Sequence, residues 1–168
     1  EVVRLSVLKS FYFNPENQIQ KKIVNKSLKD NNSDIRYQGL LHICSSIQIC
    51  SNKFKKRALE ICIEDECETI RGLSALHAEN LPLNWKNESS EIVLSCFAMN
   101  SSLNRNSLDE LHEFLFSHSY RVRFYLAKNS KLRESIALML CSNIFYYYFS
   151  TCFPCKDIFI FRVFPFYY

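Results

Sequence analysis

A Val/Ile-Arg pair recurs along this chain, and two of its copies share a longer frame. Asp30 lies five residues before Ile35-Arg36, and Asp65 lies five residues before Ile70-Arg71. The two arginines are 35 residues apart. Recurrence at such an interval is typical of a protein built from stacked structural units. This frame constrains the fold more than any other feature of the sequence.

The residues on both sides of the pair predict two helices for each unit. Apolar residues stand eight and twelve positions before the arginine, and others stand five and eight positions after the Val or Ile. Both spacings place apolar side chains on one face of a helix. Gly39 and Ser74, four residues after the Ile, indicate a close approach of two helices. Each unit is predicted to be a helix, a short polar turn and a second helix.

Composition agrees with an all-α fold class. The 168 residues include only two glycines and four prolines, which argues against a β-rich fold with many tight turns. Residues 1–60 and 111–168 are basic and residues 61–110 are acidic, so the sequence does not predict a continuous basic face for nucleic acid. No signal peptide is visible, and we expect a cytoplasmic protein whose eight cysteines are mostly reduced and buried. Since the sequence starts at Glu1, we expect a fragment or a processed piece.

The frame around Arg36 and Arg71 resembles the HEAT repeat, and the segment 111–129 is similar to the leucine-rich-repeat variant, a shorter α-helical repeat. The resemblance covers residues 1–140 and implies a right-handed α-solenoid of stacked helix pairs, HEAT/armadillo-like, that binds other macromolecules. In HEAT-like repeats the Asp and Arg commonly bond between neighbouring units. The resemblance therefore implies a structural ladder of Asp30, Arg36, Asp65, Arg71 and Arg123. Leu94 and Ser117 depart from the pattern where an Arg and an Asp are expected.

The leading functional prediction is a non-catalytic scaffold that binds a protein partner. The groove would be lined by outward side chains of the second helices, and Tyr and His there offer amphipathic contact surface. The candidates are Tyr37, Gln38, His42, His77, Tyr125 and Lys128. One alternative is a nucleic-acid-binding or DNA-repair-type HEAT-like enzyme. A second alternative is a membrane-tethered adaptor.

A basic run and a Cys pair offer weaker hypotheses. The run comprises Lys53, Lys55, Lys56 and Arg57. It fits either a nucleic-acid patch or the solvated start of a helix with Phe54 turned inward, and we favour the second interpretation. Cys152 and Cys155 have the spacing of half a zinc site, but two further ligands cannot be assigned. We predict no catalytic residue, metal or cofactor.

Residues 141–168 form an aromatic-rich tail that does not belong to the repeat pattern. The uncharged run 135–155 is long enough to span a bilayer, although polar residues interrupt it. A packed or disordered cap, an artefact of the sequence and a membrane span remain the alternatives for this tail.

Overall fold

The computed structural model of the chain describes residues 1–46, 52–80, 82, 85–105, 113–115 and 117–129. All regular structure within these ranges is helical, so the all-α prediction is confirmed for them. The α-helices with complete bounds are α1 (Val2–Lys9), α2 (Gln18–Ser27), α3 (Ser33–Ser45), α4 (Asn52–Cys62), α5 (Glu68–His77), α6 (Glu91–Met99) and α7 (Tyr120–Lys128). The tail 141–168, the run 135–155 and the Cys152/Cys155 pair lie outside the described residues.

Polar residues in the predicted turns set the start of most of these helices. The side chain of Asn32 accepts hydrogen bonds from the backbone N–H groups of Asp34 and Ile35 and begins α3. Ser90 and Ser119 cap α6 and α7 in the same way. Such caps satisfy N–H groups that the first helical turn leaves without partners. The turn sequences therefore fix where the second helix of a unit begins.

The helices pack in chain order. Helix α1 packs against α3, α3 against α5, α5 against α6, and α6 against α7. Helix α2 packs against α3, whereas α4 contacts both α3 and α5. The helices that carry the Val/Ile of each unit, α3, α5, α6 and α7, form a row that we call the second-helix row. Helices α2 and α4 lie beside this row as first helices.

Two clusters of buried side chains hold the helices together. The front core contains Val24, Leu28, Leu40, Ile43, Cys44, Ala58, Leu59, Cys62 and Ile70. The rear core contains Ala75, Trp85, Val93, Phe97, Ala98, Leu103, Phe114, Leu115, Val122 and Leu126. Helix α5 contributes Ile70 to the front core and Ala75 to the rear core, so it joins the two.

The small residues four positions after the Ile lie at close helix contacts, as predicted. A Cβ atom at Gly39 would overlap Oγ of Ser27 on α2, so only glycine fits there without a shift of that side chain. At the equivalent place on α5, Oγ of Ser74 donates to the carbonyl of Leu59 at 2.7 Å. Small side chains therefore let each first helix approach its own second helix.

Within the described residues, no helix combines the length and the apolar character that crossing a membrane requires.

Candidate protein-binding face

The second-helix row is held in place by arginines of the repeated frame. Nη1 of Arg36 donates to the carbonyls of Asp30 (2.9 Å) and Asn31 (3.1 Å) in its own turn. Nε and Nη2 of the same guanidinium donate to the carboxylate of Asp65 at 2.8 and 2.9 Å, and Nη2 also donates to Glu66 at 3.0 Å. A planar fork matched to a carboxylate fixes both distance and orientation. Arg36 thus links its own turn to the turn of the next unit.

Arg71 repeats this arrangement one unit later. Its Nη1 donates to the carbonyls of Asp65 (2.8 Å) and Glu66 (3.0 Å). Its Nε and Nη2 bind the carboxylate of Glu88 at 2.8 and 3.2 Å. At the N-terminal end, Arg4 pairs with Asp30 at 3.0 Å in a more exposed position. We call the pairs Arg4–Asp30, Arg36–Asp65 and Arg71–Glu88 the arginine joints.

Two members of these joints were not predicted from the sequence. Glu88 lies five residues before Val93 and so takes the Asp place of the unit that carries Leu94 instead of Arg. The equal offset from the Val could have identified Glu88. However, Glu stands where the frame has Asp, and the arginine of this unit is missing. Arg4 was recognised only as an early copy of the pair.

Arg123, the last predicted member of the ladder, repeats the bond to its own turn. Its Nη1 donates to the carbonyl of Ser117, six residues earlier, as Arg36 and Arg71 do with their own turns. The arginine of each unit thus secures the turn before its helix. In each of the three arginine joints, the arginine binds a carboxylate in the turn of the next unit.

The joints change the electrostatics of their carboxylates. Burial acts to raise the pKa of Asp65, but hydrogen bonds from Arg36 and from the N–H of Cys67 outweigh it and hold the pKa below its usual value. Burial likewise acts against ionisation of Glu88, and bonds from Arg71 and the N–H of Ser90 lower its pKa overall. Both carboxylates are therefore ionised near neutral pH, as the joints require.

A second set of contacts ties the opposite ends of the second helices together. Asn100, seven residues after Val93, donates through Nδ2 to the carbonyls of Ala75 and Ala78, each at 2.7 Å. Asn129, seven residues after Val122, donates to the carbonyls of Ala98 (2.9 Å) and Asn100 (2.8 Å). These side chains satisfy carbonyls that end the preceding helix.

His42 occupies the same seventh position in its unit. Its Nε2 lies 2.7 Å from the carbonyl oxygen of Leu8, and its ring stacks on Phe11 with centroids 5.1 Å apart. We call the contacts made by His42, Asn100 and Asn129 the carbonyl joints. Sequence reasoning had placed His42 in the partner groove. The structure instead uses its ring nitrogen between neighbouring helices, because the seventh position faces the preceding second helix.

His77 also stands at the seventh position and is half-buried. Burial lowers the pKa of its imidazole, and the positive charge of Lys55 adds to this effect. The described structure records no hydrogen bond from His77 to the preceding helix. His42 therefore lies in a carbonyl joint, and His77 stands at the equivalent position of α5.

The remaining groove candidates lie on the solvent side of the second-helix row. Tyr37 is 37% exposed, Lys128 is exposed, and Gln38 and Tyr125 are half-buried. Each stands two, three or six residues after its Val or Ile, and these offsets share one helix face. We call the exposed or half-buried side chains at these offsets, and at the residue before the Val or Ile, the outer face.

The outer face contains apolar residues that the sequence analysis did not select. Ile92 and Met99 on α6 are 42% and 41% exposed, and their spacing of seven places them on one side of the helix. The apolar members of the outer face are Tyr37, Leu41, Leu73, Leu76, Ile92, Cys96, Met99, Phe124 and Tyr125, of which Leu73, Cys96 and Tyr125 also pack against the cores. Their spacing of seven residues could have identified them. However, Ile92 and Met99 lie on α6, whose unit has Leu94 where the arginine is expected.

The predicted basic run lies on α4, away from the outer face. Lys53, Lys56 and Arg57 are exposed, whereas Lys55 is half-buried. Phe54 packs against the front core, as predicted for a helix with one solvated side.

Chemically reactive groups are few in the described part of the chain. No group of three or more His, Cys, Asp or Glu side chains there could hold a metal ion. Cys44, Cys62, Cys67 and Cys96 carry thiols rather than disulfides. Burial raises the pKa of the Cys62 thiol to about 12, which keeps it protonated and unreactive.

A cleft of about 430 Å³ lies beside the last arginine joint. Its lining includes Trp85 and Phe97, and of its charged members Glu64, Arg71 and Glu88, the last two bind each other. The polar groups of the arginine joints and carbonyl joints are already engaged within the fold. The outer face is left as the candidate site for binding.

The chain matches no protein-family model, no curated protein and no solved structure, so its candidate function rests on its own residues and contacts.

Proposed function

We propose that this chain is a HEAT-like, right-handed α-solenoid that has no catalysis of its own and binds a protein partner through the outer face. The packing of helices in chain order supports the stacked arrangement. Arginine joints and carbonyl joints that recur at equivalent positions support it too, since each links one unit to its neighbour. Stacks of this kind present an extended surface made by one helix from each unit.

The observation that carries the proposal is the apolar character of the outer face. Ile92, Met99 and Tyr37 are exposed although the opposite sides of their helices already supply the cores. Single exposed apolar residues are ordinary, whereas neighbouring ones on one face mark contact surfaces. Tyr, Met and other large side chains are enriched at the centres of protein interfaces.

Polar residues around this apolar centre fit the rim of an interface. Asp34, Thr69 and Arg121 stand one residue before the Val or Ile of their helices and are exposed. Lys128 lies at the C-terminal end of α7 with Nζ 4.7 Å from the centroid of Phe124. A polar rim around an apolar centre is the usual anatomy of a specific protein contact.

The decisive experiment is a comparison of two variants in affinity capture and cross-linking. The test variant is Ile92→Glu with Met99→Glu. The control is Ile61→Glu, because Ile61 is 41% exposed but lies on the first helix α4. A partner recovered with the unchanged chain and the control, and depleted by about tenfold or more with the test variant, supports the proposal.

Retention of every partner by the test variant contradicts the proposal. Circular dichroism and thermal unfolding of each variant separate lost binding from lost structure. A second test variant, Tyr37→Ala, removes an aromatic group without adding a charge. Neither test touches His42, because its joint with Leu8 would mix binding with stability.

A further inference from the structure

Eight basic side chains crowd the first helices and the residues next to them. They are Lys21, Lys22, Lys26, Lys29, Lys53, Lys55, Lys56 and Arg57. Helix α2 contains no acidic residue, and α4 contains one, Glu60. We call these eight side chains the α2/α4 basic face. The sequence presents the two clusters as separate runs with more than 20 residues between them.

The structure makes the two clusters continuous. Nζ of Lys21 on α2 lies 5.2 Å from the ring centroid of Phe54 on α4, so the two helices meet at this contact. Both helices also pack on α3. Lys26 and Lys29 line a concave surface of about 380 Å³ together with Arg4. The basic face therefore runs across two neighbouring helices and reaches the first arginine joint.

The charge of this face is not compensated within the described residues. None of its eight members takes part in an ion pair there. Asp30 and Asp65 are bound elsewhere, since Asp30 pairs with Arg4 and Asp65 pairs with Arg36, and the exposed Glu60 is the one acidic residue within α2 and α4. The arginine joints thus remove the acidic partners and leave a one-sided positive surface, which attracts polyanions over several ångströms.

The packing of these helices decides between kinds of polyanion. A helix that binds an anionic bilayer inserts its apolar side between the lipids. In α2 and α4 that side is buried in the front core, through Val24 and Leu28 and through Ala58 and Leu59. Ile19 and Ile61 are isolated exposed apolar residues on these helices. The face can therefore offer charge to a ligand but little apolar surface.

Spacing favours a regular string of phosphates. Lys22 and Lys26 stand four residues apart on α2, about 6 Å along its axis at a rise of about 1.5 Å per residue, and Lys29 follows in the turn after the helix. A second row lies on α4, about 10 Å away at ordinary helix-packing distances. A nucleic-acid duplex carries one phosphate for about every 1.7 Å of its axis, so each row meets phosphates without a fixed register.

We propose that the α2/α4 basic face binds the phosphodiester backbone of a nucleic-acid duplex, without reading its sequence. This surface lies on first helices, whereas the proposed protein contact lies on second helices. The two bindings are separate properties, and failure of one leaves the other standing. The positive balance of residues 1–60, which the sequence alone did not connect into a face, supplies this surface.

The test measures binding of the full chain to a short fluorescent DNA duplex by anisotropy across a salt series. The variants are Lys22→Glu on α2, Lys56→Glu on α4 and the two together. Near 0.1 M salt, each lost phosphate contact weakens binding about eightfold, since each adds about 0.9 to the salt slope. The double variant is expected to bind roughly 60-fold more weakly, with a slope smaller by about two.

The control is Lys9→Glu, which changes an exposed lysine of α1 by the same charge and is expected to bind as the unchanged chain does. Equal weakening by the control overturns the proposal, because net charge would then explain the effect. Absence of duplex binding at low salt overturns it as well. The proposal is also overturned if the unchanged chain binds phosphatidylserine vesicles but not the duplex, and the double variant no longer binds the vesicles. Lys22→Gln with Lys56→Gln replaces the double variant if circular dichroism shows that the reversals unfold it.

Discussion

The front half of the described molecule, α1 to α5, and the rear half, α6 and α7, differ in most of their joints, although the carbonyl joint of His42 lies in the front half. In the front half, Arg36 and Arg71 clamp carboxylates of the following turn. In the rear half, Asn100 and Asn129 reach back to carbonyls at the end of the preceding helix. The change occurs at the unit where Leu94 replaces the arginine. A helix can therefore lose one kind of joint if another secures its opposite end.

The two kinds of joint differ in charge. The arginine joints are ionic, and their strength depends on deprotonated carboxylates. The carbonyl joints of Asn100 and Asn129 are neutral, and both side chains are buried. A neutral buried joint does not respond to acid, whereas an ionic one does. This difference gives the comparison its measurable consequences.

The largest effect is expected from Arg36→Ala. Arg36 is 7% exposed, and its loss leaves the buried carboxylate of Asp65 without its partner. Removal of one member of a buried ion pair typically costs about 3–5 kcal/mol. Urea unfolding followed by circular dichroism measures this loss.

Two further variants show whether the cost of Arg36→Ala arises from the unpaired carboxylate. The combined change Arg36→Met with Asp65→Leu is expected to cost much less, because no charge is left buried. Arg4→Met is the matched control, since Arg4 holds the same frame position but its side chain is 58% exposed. A loss for Arg4→Met as large as for Arg36→Ala would show that burial does not separate the joints.

Asn100→Ala is expected to cost about 2 kcal/mol. The change leaves the carbonyls of Ala75 and Ala78 without a donor where α5 ends, and each lost neutral hydrogen bond is worth about 1 kcal/mol. Thermal and urea unfolding measure the change, and Asn25→Ala on the exposed side of α2 is the control. An effect no larger than that of the control would mean that the rear half does not depend on its carbonyl joints.

Acid should weaken the front half selectively. The folded-state pKa of Asp65 lies below its ordinary value of 3.8, so the Arg36–Asp65 joint stabilises the fold above that pH and loses its contribution as pH falls through the folded pKa. We therefore compare the free energy of unfolding of the unchanged chain with that of Arg36→Met with Asp65→Leu. Below pH 3.8 the unchanged chain is expected to lose stability relative to this variant.

The same titration of Asn100→Ala is the internal comparison. The gap between this variant and the unchanged chain is expected to stay constant with pH, because amides do not titrate. Parallel pH dependence of the two gaps would contradict the assignment of ionic joints to the front half and neutral joints to the rear.

The sequence predicted the parts of this arrangement that depend on repetition. Asp30, Arg36, Asp65 and Arg71 stand in one frame, and the helices around them follow from apolar spacing. Periodicity shows which side of a helix is buried, but it does not show which polar atom a long side chain reaches. The role of His42 depends on its distance from Leu8, 34 residues earlier, and only packing determines that distance.

Only part of the candidate site could be predicted, because periodicity shows which side of a helix is buried but not every residue on its exposed side. Tyr37 and Lys128 were found on the outer face, because their offsets from the frame point outward. Ile92 and Met99 were not among the candidates, since the candidates came from the units that keep the Val/Ile-Arg pair. Similarly, the two basic runs could not be joined before the contact between Lys21 and Phe54 was known.

The smallest effect is also the sharpest test of whether the two halves can exchange joints. His77→Asn places in the front half the side chain that forms carbonyl joints in the rear, at the same seventh position. An amide that reaches the carbonyl of Leu40, the counterpart of Leu8, Ala75 and Ala98, is expected to add about 1 kcal/mol to the free energy of unfolding near neutral pH.

The pH dependence of His77→Asn separates this gain from other effects of the substitution. Burial and Lys55 lower the pKa of His77, so its neutral form stabilises the fold above the ordinary value of 6.5, and that contribution is lost as pH falls below it. The advantage of Asn should therefore grow below pH 6.5, since an amide takes up no proton. Urea unfolding at several pH values measures it, with His118→Asn in an exposed turn as the control. A loss of stability at every pH would show that the seventh position of α5 lies too far from α3 for an amide to form a carbonyl joint there.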